Sequence, residues 1–242
     1  MVKVTHTGSA SLDRILGGGI RTGIVTDIYG QSGAGKSQLC FTLCANCARH
    51  LKQGEMIMFV DTVGTFRPER ISEIARSEEN DNINKIILLR ALSTADQINA
   101  IKKIVDNNLR LLIIDSATSL FSNEFKGPSR HLALMKYLHG LSLAAIDFDC
   151  GIVITNMVRD VPVIKSTANY SNNIVKRALK PAADSLQQHE FMGTSVSIYA
   201  HIRLKLEVVN PERSLFAARL IQPMRKEQVY FTITARGVSD KN

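Results

Sequence analysis

Gly30-Gln31-Ser32-Gly33-Ala34-Gly35-Lys36-Ser37 is the stretch whose residue types and spacing dictate a definite chemistry. It fits the pattern GxxxxGK[ST]. Glycines let the backbone wind closely around phosphate oxygens, so that its N–H groups point inward. The N-terminus of the helix that follows adds positive potential. Lys36 is then placed to reach the β- and γ-phosphates of ATP, and the Ser37 hydroxyl to ligate Mg²⁺. Asp115 ends the apolar run Leu111-Leu112-Ile113-Ile114. Its carboxylate would hold the same magnesium, directly or through water. An aspartate capping the next turn is the other reading, and the glycine loop upstream favours the metal.

Cys40, Cys44 and Cys47 recur at helical spacing just after this loop, with His50 beyond them and Cys150 distant. Tetrahedral zinc needs ligands converging from a turn or from two elements, which one straight helix rarely supplies. Small buried residues packing a helix against a sheet are the better account.

The elements that position these residues alternate. Ile24–Tyr29 reads as a strand, and a helix runs from about Ser37 to His50. Met56–Val60 is a nearly continuous apolar run, as expected of a strand covered on both faces. A helix is expected to begin near Pro68, a residue favoured in the first turn. Ile86–Leu89 is a further strand. Thr94 and Gln97 suggest a capping box ahead of a helix through Ile98, Ile101, Lys102 and Val105. A helix from about His131 to Asp147 leads to the strand Ile152–Thr155. Such repeats imply a mostly parallel central sheet with helices on both faces. In the last third, Ile202, Leu204, Leu206 and Val208 alternate with Arg203, Lys205 and Glu207, the pattern of a half-buried antiparallel strand. Leu215–Ile221 and Val229–Thr234 look like its neighbours, added at the C-terminal end. Val158 to Phe191 has no clear period, and a loop of that length in one domain is usually functional or disordered. The expected organisation is a single α/β core domain over residues 1–242, with 158–191 as a long flexible loop.

The 242 residues carry 30 Lys and Arg against 22 Asp and Glu, a formal charge of +8 that attracts polyanions, of which nucleic acid is the commonest in a cell. No run of about eighteen apolar residues suggests a membrane span. The start, Met1–His6, lacks the apolar stretch of a signal peptide, so an intracellular, cytoplasmic site is the expectation.

The chain resembles the RadA and eukaryotic recombinase ATPases. His6-Thr7-Gly8 and Ser11–Ile20 are similar to the opening of that family's ATPase core, and Gly35–Cys40 to its P-loop helix. Phe66-Arg67-Pro68-Glu69-Arg70 resembles its most distinctive stretch. Ile114-Asp115-Ser116 with Thr118-Ser119 matches its Walker B region. Ala218–Ile221 and Thr232–Thr234 with Gly237 match its end. The resemblance implies a RecA-like fold and a link to homologous recombination. KaiC-like signalling ATPases share the leucine-aspartate and triple-glycine opening but not the Phe66–Arg70 stretch. Within the family the layout is similar to RadB, a short archaeal paralogue without the N-terminal helical domain. A nucleoid-associated location follows if the source is archaeal.

The resemblance also carries site expectations. Val63 stands where active members have the glutamate that activates the attacking water. Met157, after Asn156, stands where they have a glutamine that senses the γ-phosphate. Gln222–Lys226 is shorter than the family's cap over a neighbour's ATP. Weak or absent hydrolysis is therefore expected. Arg70 resembles the arginine that stacks on adenine, an ion pair with Glu69 or Glu73 being the plainer reading. Two loops would contact DNA, single-stranded by preference. The first, Asn123–Arg130, offers Lys126 and Arg130. The second, Val158–Phe191, offers Arg159, Lys165, Lys176, Arg177 and Lys180, with Tyr170 to stack on a base. The expected protein partner is the main RadA-type recombinase or another repair protein. A DNA-dependent strand-exchange enzyme and a KaiC-like ATPase are the competing readings.

Overall fold

The apolar runs at 56–60, 86–89, 111–114 and 152–155 all lie in strands of one sheet. A computed structural model describes residues 2–75, 84–106, 108–162, 186–224 and 227–241. The elements are β1 (Val4–Thr5), α1 (Ala10–Leu16), β2 (Ile20–Arg21), β3 (Val25–Gly30), α2 (Lys36–Ala48), β4 (Met56–Asp61) and α3 (Pro68–Ala75). Then come β5 (Ile86–Arg90), α4 (Thr94–Asp106), β6 (Leu109–Asp115), α5 (Ser119–Glu124), α6 (Gly127–Asp147), β7 (Gly151–Pro162) and β8 (Leu186–Glu190). The chain continues through α7 (Gly193–Tyr199), β9 (Ile202–Asn210), β10 (Leu215–Gln222), β11 (Gln228–Thr234) and β12 (Gly237–Asp240).

The main sheet runs in the order β12-β11-β10-β9-β3-β7-β6-β4-β5, with β8 paired to β7. Strands β9, β3, β7, β6, β4 and β5 are parallel neighbours, and β9 to β12 are antiparallel. The expected class holds: a RecA-like α/β core with antiparallel strands added at one end. Alternation along the buried strands feeds two apolar layers. Ile57, Phe59, Leu111 and Ile113 face α1, α2 and α3, while Met58, Val60, Leu112 and Ile114 face α4 to α7. Cys40, Cys44 and Cys47 all lie in the first layer, buried without disulfides.

Four local expectations are corrected. The capping box of α4 is Ser93 and Asp96: the Asp96 amide donates to Ser93 Oγ at 3.1 Å, and the Ser93 amide to Asp96 Oδ2 at 3.0 Å. A short aspartate serves as well as a glutamate here, and Gln97 turns inward, its side chain donating to the Ala117 carbonyl at 3.0 Å. The first candidate DNA loop is mostly helical. Only Phe125 and Lys126 separate α5 from α6, whose first turn takes Pro128, where a missing N–H costs nothing. Both ends of the 158–191 segment are strand, since Val158 to Pro162 pair with Glu190 to Leu186. Arg203, assigned to a solvent face, is buried.

The C-terminal ends of the central strands meet along one edge. Asp61 pairs with Asp115 across β4 and β6, and Gly30 with Met157 across β3 and β7. In open α/β sheets that edge is where ligands bind.

Candidate functional site

The glycine loop leaves β3 at that edge and enters α2. Gly35 is the residue before the helix, with φ of 88°, a left-handed conformation that side chains resist. A Cβ there would also come within 2.7 Å of Ile233 Cδ1, and one at Gly30 would strike the Leu206 carbonyl. The loop thus packs directly against the antiparallel extension. Between them lies a cavity of about 330 Å³, lined by Ser32, Gly33, Gly35, Lys36, Ser37 and Gln38 on one side. Ser214, Phe216 and Ile233 close the other side. Gln31 and Ala34 complete the loop, with Ala34 buried.

Lys36 folds back over the loop, donating to the carbonyls of Gly30 at 2.8 Å and Gln31 at 2.9 Å. Burial lowers the pKa of its ammonium from the ordinary value, and the Asp115 carboxylate opposes that shift. Ser37 donates its hydroxyl to Asp115 Oδ2 at 2.6 Å, and Thr155 donates to Asp115 Oδ1 at 2.5 Å. A hydroxyl and a carboxylate, both hard oxygen donors, therefore converge where α2 begins, a donor set that suits Mg²⁺. Thr155 is a site residue that sequence reading missed. Its signal was modest: a threonine ending an apolar strand.

The loop after β4 is organised by Asp61. Its Oδ1 accepts the backbone N–H groups of Val63 at 3.1 Å, Gly64 at 2.7 Å and Thr65 at 3.2 Å, and Oδ2 that of Phe66 at 3.1 Å. Burial pushes the pKa of Asp61 up, but these four donors outweigh it and hold the carboxyl below its ordinary range. Val63 projects from this loop, 45% exposed. Arg70 is engaged on several sides. It donates to Gln38 Oε1, Glu73 Oε2 and the Ala235 carbonyl at 2.9 Å each, and to the Thr234 carbonyl at 2.5 Å. The ion pair with Glu73 is present, and contact with Gln38 sets the guanidinium beside the cavity.

At Met157 the neighbouring Asn156 acts as a junction. Its Oδ1 accepts from Thr118 Oγ1 at 2.7 Å and from the Met157 amide at 2.8 Å. Its Nδ2 donates to Glu190 Oε1 at 2.9 Å and to the Phe191 carbonyl at 2.7 Å. Glu190 in turn pairs with Arg203, whose Nε lies 3.3 Å from Asp27 Oδ2. Burial raises the pKa of Asp27 to about 7, the Arg203 charge only partly offsetting it.

Of the candidate DNA residues, two meet on one ring. Arg159 Cζ stands 3.8 Å and Arg130 Cζ 5.7 Å from the centroid of Phe191, distances at which a guanidinium is held by the ring's negative face. Arg159 also donates to Ser122 Oγ at 2.9 Å, and Arg130 to the Phe125 carbonyl at 2.8 Å. Lys126 is exposed at the start of α6. Lys165, Tyr170, Lys176, Arg177 and Lys180 lie outside the described residues. Among the described residues no helix is long and apolar enough to cross a membrane.

Fold and loop together define the class, a RecA-like P-loop domain. A family model described as Rad51 matches residues 1–241, and the chain belongs to that family. It is 32% identical over 254 residues to the DNA repair protein RAD51 homolog of Solanum lycopersicum, covering 99% of this chain and 70% of the relative. It is 36% identical over 170 residues to the DNA repair and recombination protein RadA of Cenarchaeum symbiosum, covering 64% of this chain and 43% of that one. A third relative, the RadA of Aeropyrum pernix, is 36% identical over 175 residues, with 66% and 55% covered. The chain thus spans less than half of the Cenarchaeum protein it matches.

Proposed function

We propose that this chain is a RadB-like paralogue in homologous recombination and DNA repair, one that binds ATP and magnesium but hydrolyses ATP slowly or not at all. In this reading the backbone N–H groups of Gly30–Ser37 hold the phosphates and Lys36 exchanges the Gly30 and Gln31 carbonyls for the β- and γ-oxygens. Ser37 and Asp115 hold Mg²⁺, which when bound neutralises phosphate charge. Arg70 flanks the adenine. Nucleic acid, single-stranded by preference, lies along Lys126, Arg130, Arg159 and the segment that follows, and the main recombinase is the protein partner.

The observation that carries the reading is the contrast between the groups that would bind the phosphates and those that would activate water. The phosphate and magnesium site keeps its lysine, hydroxyl and carboxylate. Where the attacking water would be activated, beside the γ-phosphate, Val63 offers no lone pair, and both oxygens of Asp61, the nearest acid in its loop, already accept backbone N–H groups. An unengaged carboxylate is what a general base requires.

The test is phosphate release under saturating ATP, with and without single-stranded DNA, beside electron microscopy of the same samples. Tight nucleotide binding with little turnover and small particles supports the proposal. Filaments with DNA-stimulated turnover would make the chain a strand-exchange enzyme. Closed rings indifferent to DNA would make it a KaiC-like ATPase.

A further inference from the structure

Gln38 is the third residue of α2, half-buried on the wall of the cavity beside Lys36 and Ser37. Its side-chain oxygen accepts from Arg70 Nε at 2.9 Å. A guanidinium has N–H donors and no acceptor, so the amide atom that faces it is the oxygen and not the nitrogen. Arg70 is itself clamped. Its other nitrogens donate to Glu73 Oε2 and the Ala235 carbonyl at 2.9 Å each, and to the Thr234 carbonyl at 2.5 Å. The end of β11 therefore holds the guanidinium, and the guanidinium holds the Gln38 amide in one orientation.

That orientation leaves the amide nitrogen turned away from Arg70, with two N–H donors and no hydrogen-bond partner among the described residues. Its neighbours along α2 are engaged. Lys36 donates to the Gly30 and Gln31 carbonyls, and Ser37 to Asp115, where phosphate and metal would replace them. Across the cavity, Phe216 and Ile233 offer apolar surface. Gln38 thus brings unused donors to the wall one residue beyond the metal-binding serine.

The chemistry of a nucleotide says what lies there. With its phosphates on the glycine loop and the start of α2, its nucleoside continues past Ser37. In the anti conformation of a purine nucleotide, N7 and C8 lie on the side of the base nearest the 5′-phosphate chain. N7 is an acceptor that adenine and guanine share. A pyrimidine has only carbon on that side.

We infer that Gln38 is a specificity-determining residue of the nucleotide site, its amide N–H donating to N7 of a purine base, with Arg70 as the group that keeps the amide in register. The site thereby selects purine over pyrimidine triphosphates. This rests on the proposed binding of ATP at the P-loop.

The experiment displaces a fluorescent ATP analogue, in Mg²⁺, with ATP, with 7-deaza-ATP and with CTP. The 7-deaza compound has C–H in place of N7 and keeps the phosphates, the sugar and the amino group. In the wild type ATP should bind about 3- to 10-fold more tightly than 7-deaza-ATP, the usual contribution of one hydrogen bond between neutral groups. CTP should bind more weakly than ATP by at least as much. Gln38→Glu keeps the length and an acceptor for Arg70 but turns the free donor into an acceptor facing N7, so the ratio should fall to one or below. Its added charge acts on both triphosphates alike and cancels in the ratio. Gln38→Leu removes donor and acceptor together and should bring the ratio to one. If Gln38 serves only to hold Arg70, Gln38→Leu weakens ATP and 7-deaza-ATP equally and the wild-type ratio survives in both variants, which overturns the inference. A wild type that binds 7-deaza-ATP or CTP as tightly as ATP overturns it too, with ATP binding left standing. A wild type that binds none of the three overturns the nucleotide reading and this inference with it.

Discussion

Ser37 and Asp115, 78 residues apart, are joined by a hydrogen bond of 2.6 Å from hydroxyl to carboxylate. Because Thr155 occupies the other carboxylate oxygen, Oδ2 is held facing the start of α2. A magnesium ion held there by both oxygens would replace only this hydrogen bond, the Ser37 hydroxyl keeping its proton and turning it away from Asp115. Asp115→Asn should therefore leave the fold intact and reduce the magnesium dependence of nucleotide binding. The expected sign is a smaller gap between affinities measured in Mg²⁺ and in EDTA, by about tenfold or 1.4 kcal/mol. An undiminished gap in the variant assigns the metal to other ligands.

Val63→Glu should raise turnover. A positioned general base contributes about 10² to 10⁴ in rate, and the loop that presents residue 63 is already pinned by four hydrogen bonds to Asp61. Met157→Gln should be combined with it, so that a polar group stands beside Asn156 to register the γ-phosphate. Phosphate release at saturating ATP is the readout. If the wild type already turns over as fast as the double variant, Val63 is not what limits hydrolysis.

Arg130 and Arg159 share Phe191, and their joint replacement by alanine tests whether that cluster meets nucleic acid. Each lost phosphate contact lowers the slope of log affinity against log salt by about 0.7 on single strands. The double variant should bind an oligothymidine strand more weakly, with its slope reduced by about 1.4. Phe191→Leu keeps the charges but removes the face that holds them, so it should weaken binding while changing the slope little. Wild-type affinity and slope in the double variant would move the interface elsewhere.

Much of the fold was legible because its signals are local. Continuous apolar runs bounded by turn residues marked β3 to β7, and the glycine loop between a strand and a helix identified itself. The Asp115 position followed from the same logic. What escaped depends on contacts distant in sequence. Leu186-Gln-Gln-His-Glu190 shows no alternation and becomes strand only because β7 extends past the sheet to pair with it. Arg203 alternates with apolar residues as a solvent-facing residue should, yet it is buried by partners 13 and 176 residues away. A spacing rule cannot find such a pair, because neither partner alters the local pattern. The helical conformation of most of residues 123–130 was missed for a different reason. Gly127-Pro128 reads as a breaker, and proline is equally at home in a helix's first turn.

The buried cluster gives stability a definite dependence on pH. Asp27 holds its proton in the native state up to about pH 7, whereas its ordinary value is near 3.8. Between those values the folded chain binds the extra proton, so the contribution of Asp27 is complete below the lower value and is lost as pH rises to the upper one. Asp61, Glu55 and Asp240 run the other way. Burial raises the first two, but backbone N–H groups for Asp61, and Lys3 with the Lys52 amide for Glu55, outweigh it; hydroxyls of Ser11 and Ser9 pull Asp240 down. Their contributions are present above the ordinary carboxylate range and are lost only as pH falls below it, so they stay constant from pH 5 upward. Asp27→Asn cannot titrate and keeps an acceptor for Arg203. Its melting temperature minus that of the wild type should therefore become more positive as pH rises from 5 to 7.5. The gap should widen by about 2–4 °C for each kcal/mol in a domain of this size, with each tenfold in proton affinity worth about 1.4 kcal/mol. Parallel melting curves across that window would mean that Asp27 is already ionised at pH 5, and that Arg203 is held by two full charges rather than by Glu190 alone.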